Sequence, residues 1–280
     1  MPFTELISGN RNWLSPKLYC LLTNLENLIR SKAHRFHPTN HKGVYVVSDP
    51  TAKLHICRRR RHNRSKRGIM RGVGKLASDY SLNRLGQVSG GILVDRGANV
   101  GELGLWARSS GMNYIAFEPE DLEATCCDLN NFSSYTTVAE GRTTHRLALW
   151  HTSTTLEFYS KPASADSSLI QMAAFVSVKK IKAVRLDEML TAEDLVSRPA
   201  VFKVEAEGAE PEVLRGAGEL LKCFDYVAVD CGPERGIEKR HTFIETHAIL
   251  IEAGFMPVAA NFHRVTILWR NNRSTHHFEA

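Results

Sequence analysis

Strand-length apolar runs alternate with helix-length segments from Gly91 onward, and this alternation restricts the possible folds more than any other feature of the chain. The apolar runs lie at residues 92–94, 114–117, 147–150, 200–204 and 226–229. The helical segments between them include 101–109, 120–130 and 211–222. Continuous apolar runs of this length are typical of strands buried on both faces of a mainly parallel sheet, with helices covering those faces. The pattern therefore predicts an α/β fold.

The chain before this region lacks the alternation, so we expect an N-terminal extension over 1–88 and an α/β domain over 89–280. Ser15 and Pro16 form a helix start. Apolar residues then recur at helical spacing, namely Leu18, Leu21, Leu22, Leu25, Leu28 and Ile29. They predict one amphipathic helix packed on the main domain. Apolar runs at 44–47 and 54–56, separated by turn-forming residues, predict a small hairpin.

The overall composition excludes several classes of protein. With 43% hydrophobic and 24% charged residues, the chain has the balance of a globular protein. No uncharged apolar run approaches the roughly 18 residues that a membrane helix needs, and the first residues lack a basic and then apolar leader. The six cysteines include no Cys-x-x-Cys pair, and the histidines show no metal-ligand spacing. We therefore expect a cytoplasmic protein without a metal site.

A glycine-containing segment joins the first predicted strand to the first predicted helix: Asp95-Arg96-Gly97-Ala98-Asn99-Val100-Gly101-Glu102. Glycine permits a tight turn and close approach to a ligand, and the helix N-terminus offers free amides. Asp95 stands where the dinucleotide fingerprint has its first glycine, and a carboxylate there would repel a pyrophosphate. The segment favours a cofactor loop for a cationic amino acid group, with a purely structural turn as the alternative.

An acid follows the second predicted strand. Glu118 ends this strand and is followed by Pro119. An acid at that position can accept hydrogen bonds from both hydroxyls of a ribose, as it does in nucleoside-binding α/β folds. Taken alone, Glu118 could equally be a solvated acid at a strand end. Together with the glycine loop, it indicates a ligand that contains a nucleoside.

Three ordered segments resemble the FkbM-type S-adenosyl-methionine-dependent methyltransferases. The segments are residues 95–102, then Ala116-Phe117-Glu118-Pro119-Glu120, then Lys203-Val204-Glu205-Ala206-Glu207-Gly208-Ala209-Glu210. Ala165-Asp166-Ser167-Ser168 and Arg185-Leu186-Asp187-Glu188-Met189-Leu190 also look like segments of that family. The resemblance covers about residues 90 to 260. Several motifs in the expected order are more specific than any one of them.

The resemblance implies a Rossmann-like class I methyltransferase fold. In that fold a seven-stranded mixed sheet has helices on both faces, and S-adenosyl-methionine lies across the carboxyl ends of its strands. The predicted helix and hairpin of the N-terminal extension would be additions to this domain. The implied activity is methyl transfer, most often to a hydroxyl of a sugar, glycan or secondary metabolite.

The resemblance also implies a set of cofactor-binding residues. They are Asp95, Gly97, Ala98, Asn99, Gly101 and Glu102 around the methionine portion, Glu118 and Pro119 at the ribose, and Ala148 and Leu149 beside the adenine. Two positions depart from the usual family pattern. Arg96 stands where the family has an aliphatic residue, and Glu205 stands where it has an aspartate.

Charged residues at the ends of two predicted strands are candidates for acceptor binding and proton removal. Lys203, Glu205 and Glu207 alternate, so their side chains share one face of an extended chain, at the end of a strand where ligands bind in α/β sheets. A hydroxyl acceptor must lose a proton during methyl transfer. We expect Glu205 to orient the substrate or act as the base, followed by Glu207. Asp230 and His241 are the alternatives.

Two other functions compete with this interpretation. Ten of the 36 basic residues lie between Lys53 and Lys75, a stretch without acids, and such a run could contact the phosphates of a nucleic acid or of an RNA acceptor. The same run lacks aromatic residues for base stacking, and it could instead recognise an anionic small-molecule or glycan acceptor. A nicotinamide-dependent oxidoreductase would share the α/β fold but would place a pyrophosphate beside Asp95.

Overall fold

The structure is a computed structural model that describes residues 13–132, 143–161 and 166–279. Residues 1–12 of the expected extension, and Ala165 in one of the segments that resemble the family, lie outside the described residues.

The N-terminal part contains two helices and three short strands. In chain order they are α1 (Pro16–Ile29), β1 (Arg35–Pro38), β2 (Tyr45–Ser48), β3 (Lys53–Ile56), a 3-10 helix over Arg59–Ser65, and α2 (Ile69–Asp79). The next elements are β4 (Ile92–Arg96), α3 (Glu102–Ser109), β5 (Asn113–Phe117) and α4 (Asp121–Asn131).

The remaining strands and helices follow residue 143. They are β6 (Ala148–Leu149), β7 (Thr154–Ser160), β8 (Ser177–Val184), β9 (Ala200–Val204), α5 (Glu210–Ala217), β10 (Tyr226–Asp230), α6 (Phe243–Glu252), β11 (Phe255–Asn261) and β12 (Thr266–Asn271). Short 3-10 helices lie at Leu82–Arg84, Leu186–Glu188, Glu193–Leu195 and Gly218–Cys223.

The main sheet has six strands in the order β11-β12-β10-β9-β4-β5. Strands β10, β9, β4 and β5 are parallel, whereas β12 runs antiparallel to β10 and β11 antiparallel to β12. The predicted runs at 92–94, 114–117, 200–204 and 226–229 form the four parallel strands. Every residue of β4, β9 and β10 is buried, as expected for strands covered on both faces.

Among the residues that the structure describes, no seventh strand pairs with this sheet. The apolar run at 147–150 forms β6, which pairs with β8 in a separate three-stranded sheet of order β6-β8-β7. Beside β5, the chain makes only a single bridge between Phe117 and His145. Immediately after this bridge, the amide of Leu147 donates to the carbonyl of His145 at 3.0 Å. This tight turn directs the chain away from β5 and ends the pairing.

Helices cover both faces of the main sheet. Successive strand residues point to opposite faces, so Val94 and Phe202 pack with α5 on one side, whereas Leu93 and Val201 pack with α3 on the other. Ala77 of α2 and Tyr80 belong to the second of these cores. The extension therefore supplies part of the packing of the main sheet. None of the helices in the described ranges has the length and apolar character needed to cross a membrane.

The predicted hairpin is present as β2 and β3, with β1 added as a third antiparallel strand. This small sheet packs against the main domain in a third core that includes Val100 and Cys126. The extension is thus joined to the loop after β4 and to α4.

Helix α1 forms where it is predicted, but it packs through the opposite face from the one expected. Its buried residues are Tyr19, Cys20, Thr23 and Asn27, whereas most of its leucines are exposed. The reason lies in the open edge of β1. The side chain of Asn24 accepts from the amide of Phe36 at 2.7 Å and donates to the same residue's carbonyl at 2.8 Å. Satisfying these backbone groups fixes which face of the helix turns inward.

Candidate active site

A cavity of about 460 Å³ opens at the carboxyl ends of the four parallel strands. Its walls come from the segments that follow each strand: 97–99 after β4, 118–120 after β5, Glu205 and Glu207 after β9, and 232–234 after β10. Ligands of open α/β sheets bind in this crevice. The sheet thus brings together residues that are more than 100 positions apart in the chain.

The glycines of the loop after β4 serve close packing. Gly97 has a φ of 76°, and a Cβ there would overlap the carbonyl oxygen of Glu205. Gly101 has a φ of 78°, and a Cβ there would overlap the side chain of Asn131 in α4. Gly101 does not line the cavity, whereas Ala98 and Asn99 do. The glycines therefore let the loop approach β9 and α4, while Gly97, Ala98 and Asn99 form its part of the cavity wall.

Glu118 ties this loop to the end of β5. One of its carboxylate oxygens accepts from the amide of Asn99 at 2.8 Å, and the other accepts from the amide of Glu120 at 2.9 Å. Burial raises the pKa of this carboxyl to about 7, although the two amides act in the opposite direction. Asp95, Glu118 and Pro119 all line the same cavity. The loop after β4 and Glu118 therefore lie side by side in the cavity wall.

Asp95 is held by a buried lysine. Its Oδ1 lies 3.0 Å from Nζ of Lys203, and its Oδ2 accepts from the hydroxyl of Tyr114 at 2.8 Å. The same ammonium group lies 3.1 Å from Oε2 of Glu205 and donates to the carbonyl of Gly97 at 2.9 Å. Lys203 thus joins the end of β4 to the end of β9, and it partly neutralises both carboxylates.

Glu205 is fully engaged in ion pairs and hydrogen bonds. The hydroxyl of Tyr80 donates to its Oε2 at 2.7 Å, and Arg264 pairs with its Oε1. Burial would raise the pKa of Glu205, but Lys203 and Arg264 outweigh that effect and hold the pKa at about 2. Arg264 also pairs with Asp230, with Nε 2.9 Å from Oδ2. A carboxylate with so low a pKa is a weak base, so this arrangement suits a positioning role.

Arg96 points into the cavity, and its side chain is almost completely buried. Its Nη1 donates to the carbonyl of Glu205 at 2.7 Å. Burial lowers the pKa of the guanidinium, while the nearby carboxylates, Glu118 first among them, raise it. Arg96 does not separate Glu118 from the cofactor loop, because the hydrogen bond between Glu118 and Asn99 is intact. The departure from the family pattern adds a buried cation to a wall of carboxylates.

Two further carboxyl groups, those of Glu207 and Glu234, line the cavity. Burial raises the pKa of Glu207, and the charge of Glu234 raises it further. Burial likewise raises the pKa of Glu234, with Asp230 and Glu205 as the leading neighbouring charges. Glu234 is not among the candidates from the sequence, because no family motif or strand-end pattern includes it. These groups titrate closer to neutral pH than Glu205 does.

The basic segment also reaches this cavity, through Arg58, Arg61 and Arg64. Arg61 pairs with Glu102, and both side chains are about nine-tenths buried. Arg58 pairs with Glu123 of α4. Sequence patterns could not identify these pairs, since each joins residues about 40 or more positions apart. Glu102, expected beside the cofactor, lines the cavity with its carboxylate held by the extension.

Arg59 has an internal role as well. Its guanidinium lies 4.7 Å from the ring centroid of Tyr19, and its Nε donates to the hydroxyl of Tyr45 at 2.8 Å. In the basic segment, Arg58, Arg59 and Arg61 therefore all make contacts within the protein. The segment presents fewer cations to a partner than its sequence indicates.

Four of the predicted site residues do not line the cavity, namely Gly101, Ala148, Leu149 and His241. Ala148 and Leu149 are buried in β6 and do not line it, because the turn at His145 directs that strand into the second sheet. His241 is exposed, and its Nδ1 lies 3.2 Å from the carbonyl oxygen of Cys231. Among the described residues, no group of three His, Cys, Asp or Glu side chains is arranged to hold a metal ion.

Comparison with known proteins assigns the family. The methyltransferase FkbM domain matches residues 95–268, which is more than half of the chain. The match begins at Asp95 and includes the cavity-lining residues as far as Arg264. No curated protein matches the chain. With its six-stranded mixed sheet and a cavity at the ends of the parallel strands, the chain belongs to the FkbM methyltransferase family.

Proposed function

We propose that this methyltransferase uses S-adenosyl-methionine and transfers the methyl group to a hydroxyl of a sugar, glycan or secondary metabolite. The observation that carries the proposal is the position of Glu118, which is fixed by the amides of Asn99 and Glu120 in the wall of the same cavity as the loop after β4.

The geometry of Glu118 suits a ribose. Each carboxylate oxygen accepts one backbone N–H. An ionised carboxylate has about four acceptor positions, so both oxygens can also accept from a hydroxyl. Two hydroxyls on neighbouring carbons match two oxygens of one carboxylate, which is how such acids recognise a ribose in α/β folds.

The charge of the cavity favours a cationic ligand. Ten of its lining residues carry carboxyl groups, and six are Lys or Arg. Even with Glu207 and Glu234 protonated, eight carboxylates face six cations, and a wall with this excess attracts a sulfonium and an ammonium group and repels a pyrophosphate. The same excess argues against the nicotinamide alternative and against an acceptor with several negative charges.

The side-chain contacts of the basic segment argue against nucleic-acid binding as the alternative function. Arg58 and Arg61 are paired with carboxylates, and Arg59 lies over two tyrosine rings. Arginines held in such contacts are not available as a row of phosphate contacts.

Held by Glu118 and the loop after β4, S-adenosyl-methionine would supply a methyl group, whose bond to the positively charged sulfur would break as the acceptor oxygen bonded to the methyl carbon. The protein must align the acceptor with the donor and remove the proton of the hydroxyl. Glu205 holds Lys203 and Arg264 in place and is too weak a base to take this proton. Glu234, whose pKa is raised to about 8 at the cavity wall, is the proton acceptor, and Glu207, whose pKa burial and the charge of Glu234 raise to about 10, stays protonated beside it.

The test is methyl transfer with labelled S-adenosyl-methionine and a panel of neutral sugars, acidic sugars, small hydroxyl compounds and RNA. We expect one acceptor carrying a hydroxyl to gain a single methyl group, detected by mass. A Glu118→Ala variant should lose transfer to that acceptor while its circular dichroism spectrum stays unchanged. Transfer to RNA alone, or undiminished transfer by Glu118→Ala, would overturn the proposal.

A further inference from the structure

Helix α1 carries an apolar stripe that faces solvent. Leu18, Leu21, Leu25 and Leu28 recur at spacings of three and four, so they lie on one side of the helix. Their exposed fractions range from 42% to 64%, and that of the neighbouring Ile29 is 76%. Trp13, three residues before the helix, is 79% exposed. Contiguous apolar surface of this kind usually marks an interaction site.

The orientation of the stripe is fixed by the rest of the fold. Asn24 bonds to both backbone groups of Phe36, and the side chain of Asn27 donates to the carbonyl of His34 at 3.3 Å. The buried face also packs Tyr19 and Cys20 into the third core. Rotating the helix to bury its leucines would break these contacts, so the stripe remains on the surface.

Positive charge lies at both ends of the stripe. Lys17 lies at one end of the helix and Arg30 at the other, and the only acid within the helix, Glu26, is ion-paired to Arg30 at 3.2 Å. Lys32 follows the helix, and the charge of Lys66 from the basic segment acts on it together with that of Arg30. Three cations therefore lie at or just beyond the ends of the stripe, Lys17, Arg30 and Lys32, and the one carboxylate of the helix is paired.

We propose that α1 docks this protein onto the surface of an anionic lipid bilayer. A helix with exposed leucines and a tryptophan on one side, and with cations at its ends, lies in the membrane interface with its apolar side chains among the acyl chains. Its cations are attracted to the headgroups of anionic lipids. At 14 residues α1 is shorter than the roughly 20 residues that a spanning helix needs, so it would lie in the plane of the surface.

A second copy of the chain fits this apolar stripe less well than a lipid surface does, for two reasons. The outward face of a 14-residue helix, about 21 Å long and about 10 Å wide, is far smaller than the roughly 800 Å² that each partner buries in a stable interface. Antiparallel pairing of two such helices would also place Lys17 of one copy beside Arg30 of the other, and parallel pairing would place each cation beside itself. A lipid surface with negative headgroups is complementary to both ends of the stripe.

The test is co-sedimentation of the full chain with vesicles of phosphatidylcholine alone and with vesicles that also contain phosphatidylserine. We expect binding to the anionic vesicles that weakens as salt is added. The Leu21→Ser/Leu25→Ser/Leu28→Ser variant should bind at least about tenfold more weakly. The control variant, Val196→Ser/Ile244→Ser, replaces equally exposed apolar residues on other elements and should bind like the unmodified chain.

Both variants should keep the circular dichroism spectrum and melting temperature of the unmodified chain, because every replaced side chain faces solvent. Three results would overturn the proposal. These are no binding of the intact chain to anionic vesicles, equal weakening in the stripe and control variants, or a dimer that dissociates in the stripe variant while no vesicle binding is observed.

Discussion

The hydroxyl of Tyr80, which follows α2, donates a hydrogen bond of 2.7 Å to the carboxylate of Glu205 at the end of β9. Tyr80 is 125 positions before its partner and lies in the part of the chain expected to be an extension. Together with Arg61 and Glu102, this contact makes the N-terminal part a structural component of the candidate active site.

Replacing Tyr80 with phenylalanine should destabilise the protein by about 2 kcal/mol, because a buried carboxylate then loses one hydrogen-bond donor. Glu205 keeps its pairs with Lys203 and Arg264, so the fold should survive. Denaturant unfolding measures the change. The matched control is Tyr159→Phe, whose hydroxyl donates to Glu157 at 2.9 Å on the exposed surface. A change of similar size in both variants would contradict the role assigned to Tyr80.

Gly97→Ala tests the close approach of the loop to β9. Gly90 also has a positive φ, 83°, but a Cβ there meets nothing within 4 Å. Gly90→Ala should therefore cost only about 1 kcal/mol for the left-handed backbone. Gly97→Ala has the same backbone strain plus the overlap with the carbonyl of Glu205, so its free energy of unfolding should fall by several times as much. Equal effects, measured by denaturant unfolding, would contradict the packing role.

The pair between Arg61 and Glu102 can be tested by Arg61→Gln. Both side chains are about nine-tenths buried, and removing Arg61 leaves Glu102 with only the more distant Arg64, at 4.0 Å, which should cost about 3 kcal/mol. Arg67, in the same segment, is exposed, and Arg67→Gln should change stability by less than about 0.5 kcal/mol. Thermal unfolding of the two variants separates these expectations. A stable Arg61→Gln variant would mean that the basic segment is not anchored through this pair.

The assignment of the proton acceptor predicts a pH dependence. A carboxyl group acts as a base only when it is ionised, and the pKa of Glu234 is raised to about 8, with burial as the largest cause. The value of kcat/KM should therefore rise with pH from neutral and level off above about 8. Glu234→Gln should lower the rate and abolish this rise, whereas Glu205→Gln should keep the rise but move it to lower pH, because the charge of Glu205 contributes to the raised pKa of Glu234. An unchanged profile in Glu234→Gln would exclude it as a base.

The central part of the site could be predicted from the sequence because it depends on local patterns. A glycine loop after β4 and an acid after β5 must meet when the two strands are parallel neighbours. The contributions of Tyr80 and Arg264 could not be predicted, since no short motif relates residues so far apart. The packing face of α1 was predicted wrongly, because the periodicity of a sequence shows only where its apolar residues lie. It does not record that Asn24 can satisfy the open edge of β1.

We propose that Glu118 and the loop after β4 together bind a sulfonium nucleoside. Calorimetric titration of the intact protein with S-adenosyl-homocysteine tests it most directly, with Glu157→Gln as a control for loss of one surface carboxylate. We expect saturable binding that strengthens as pH rises through about 7, where Glu118 ionises. We also expect binding at least about tenfold weaker in Glu118→Gln. Absence of heat with S-adenosyl-homocysteine, or equal affinity in Glu118→Gln, would contradict the claim.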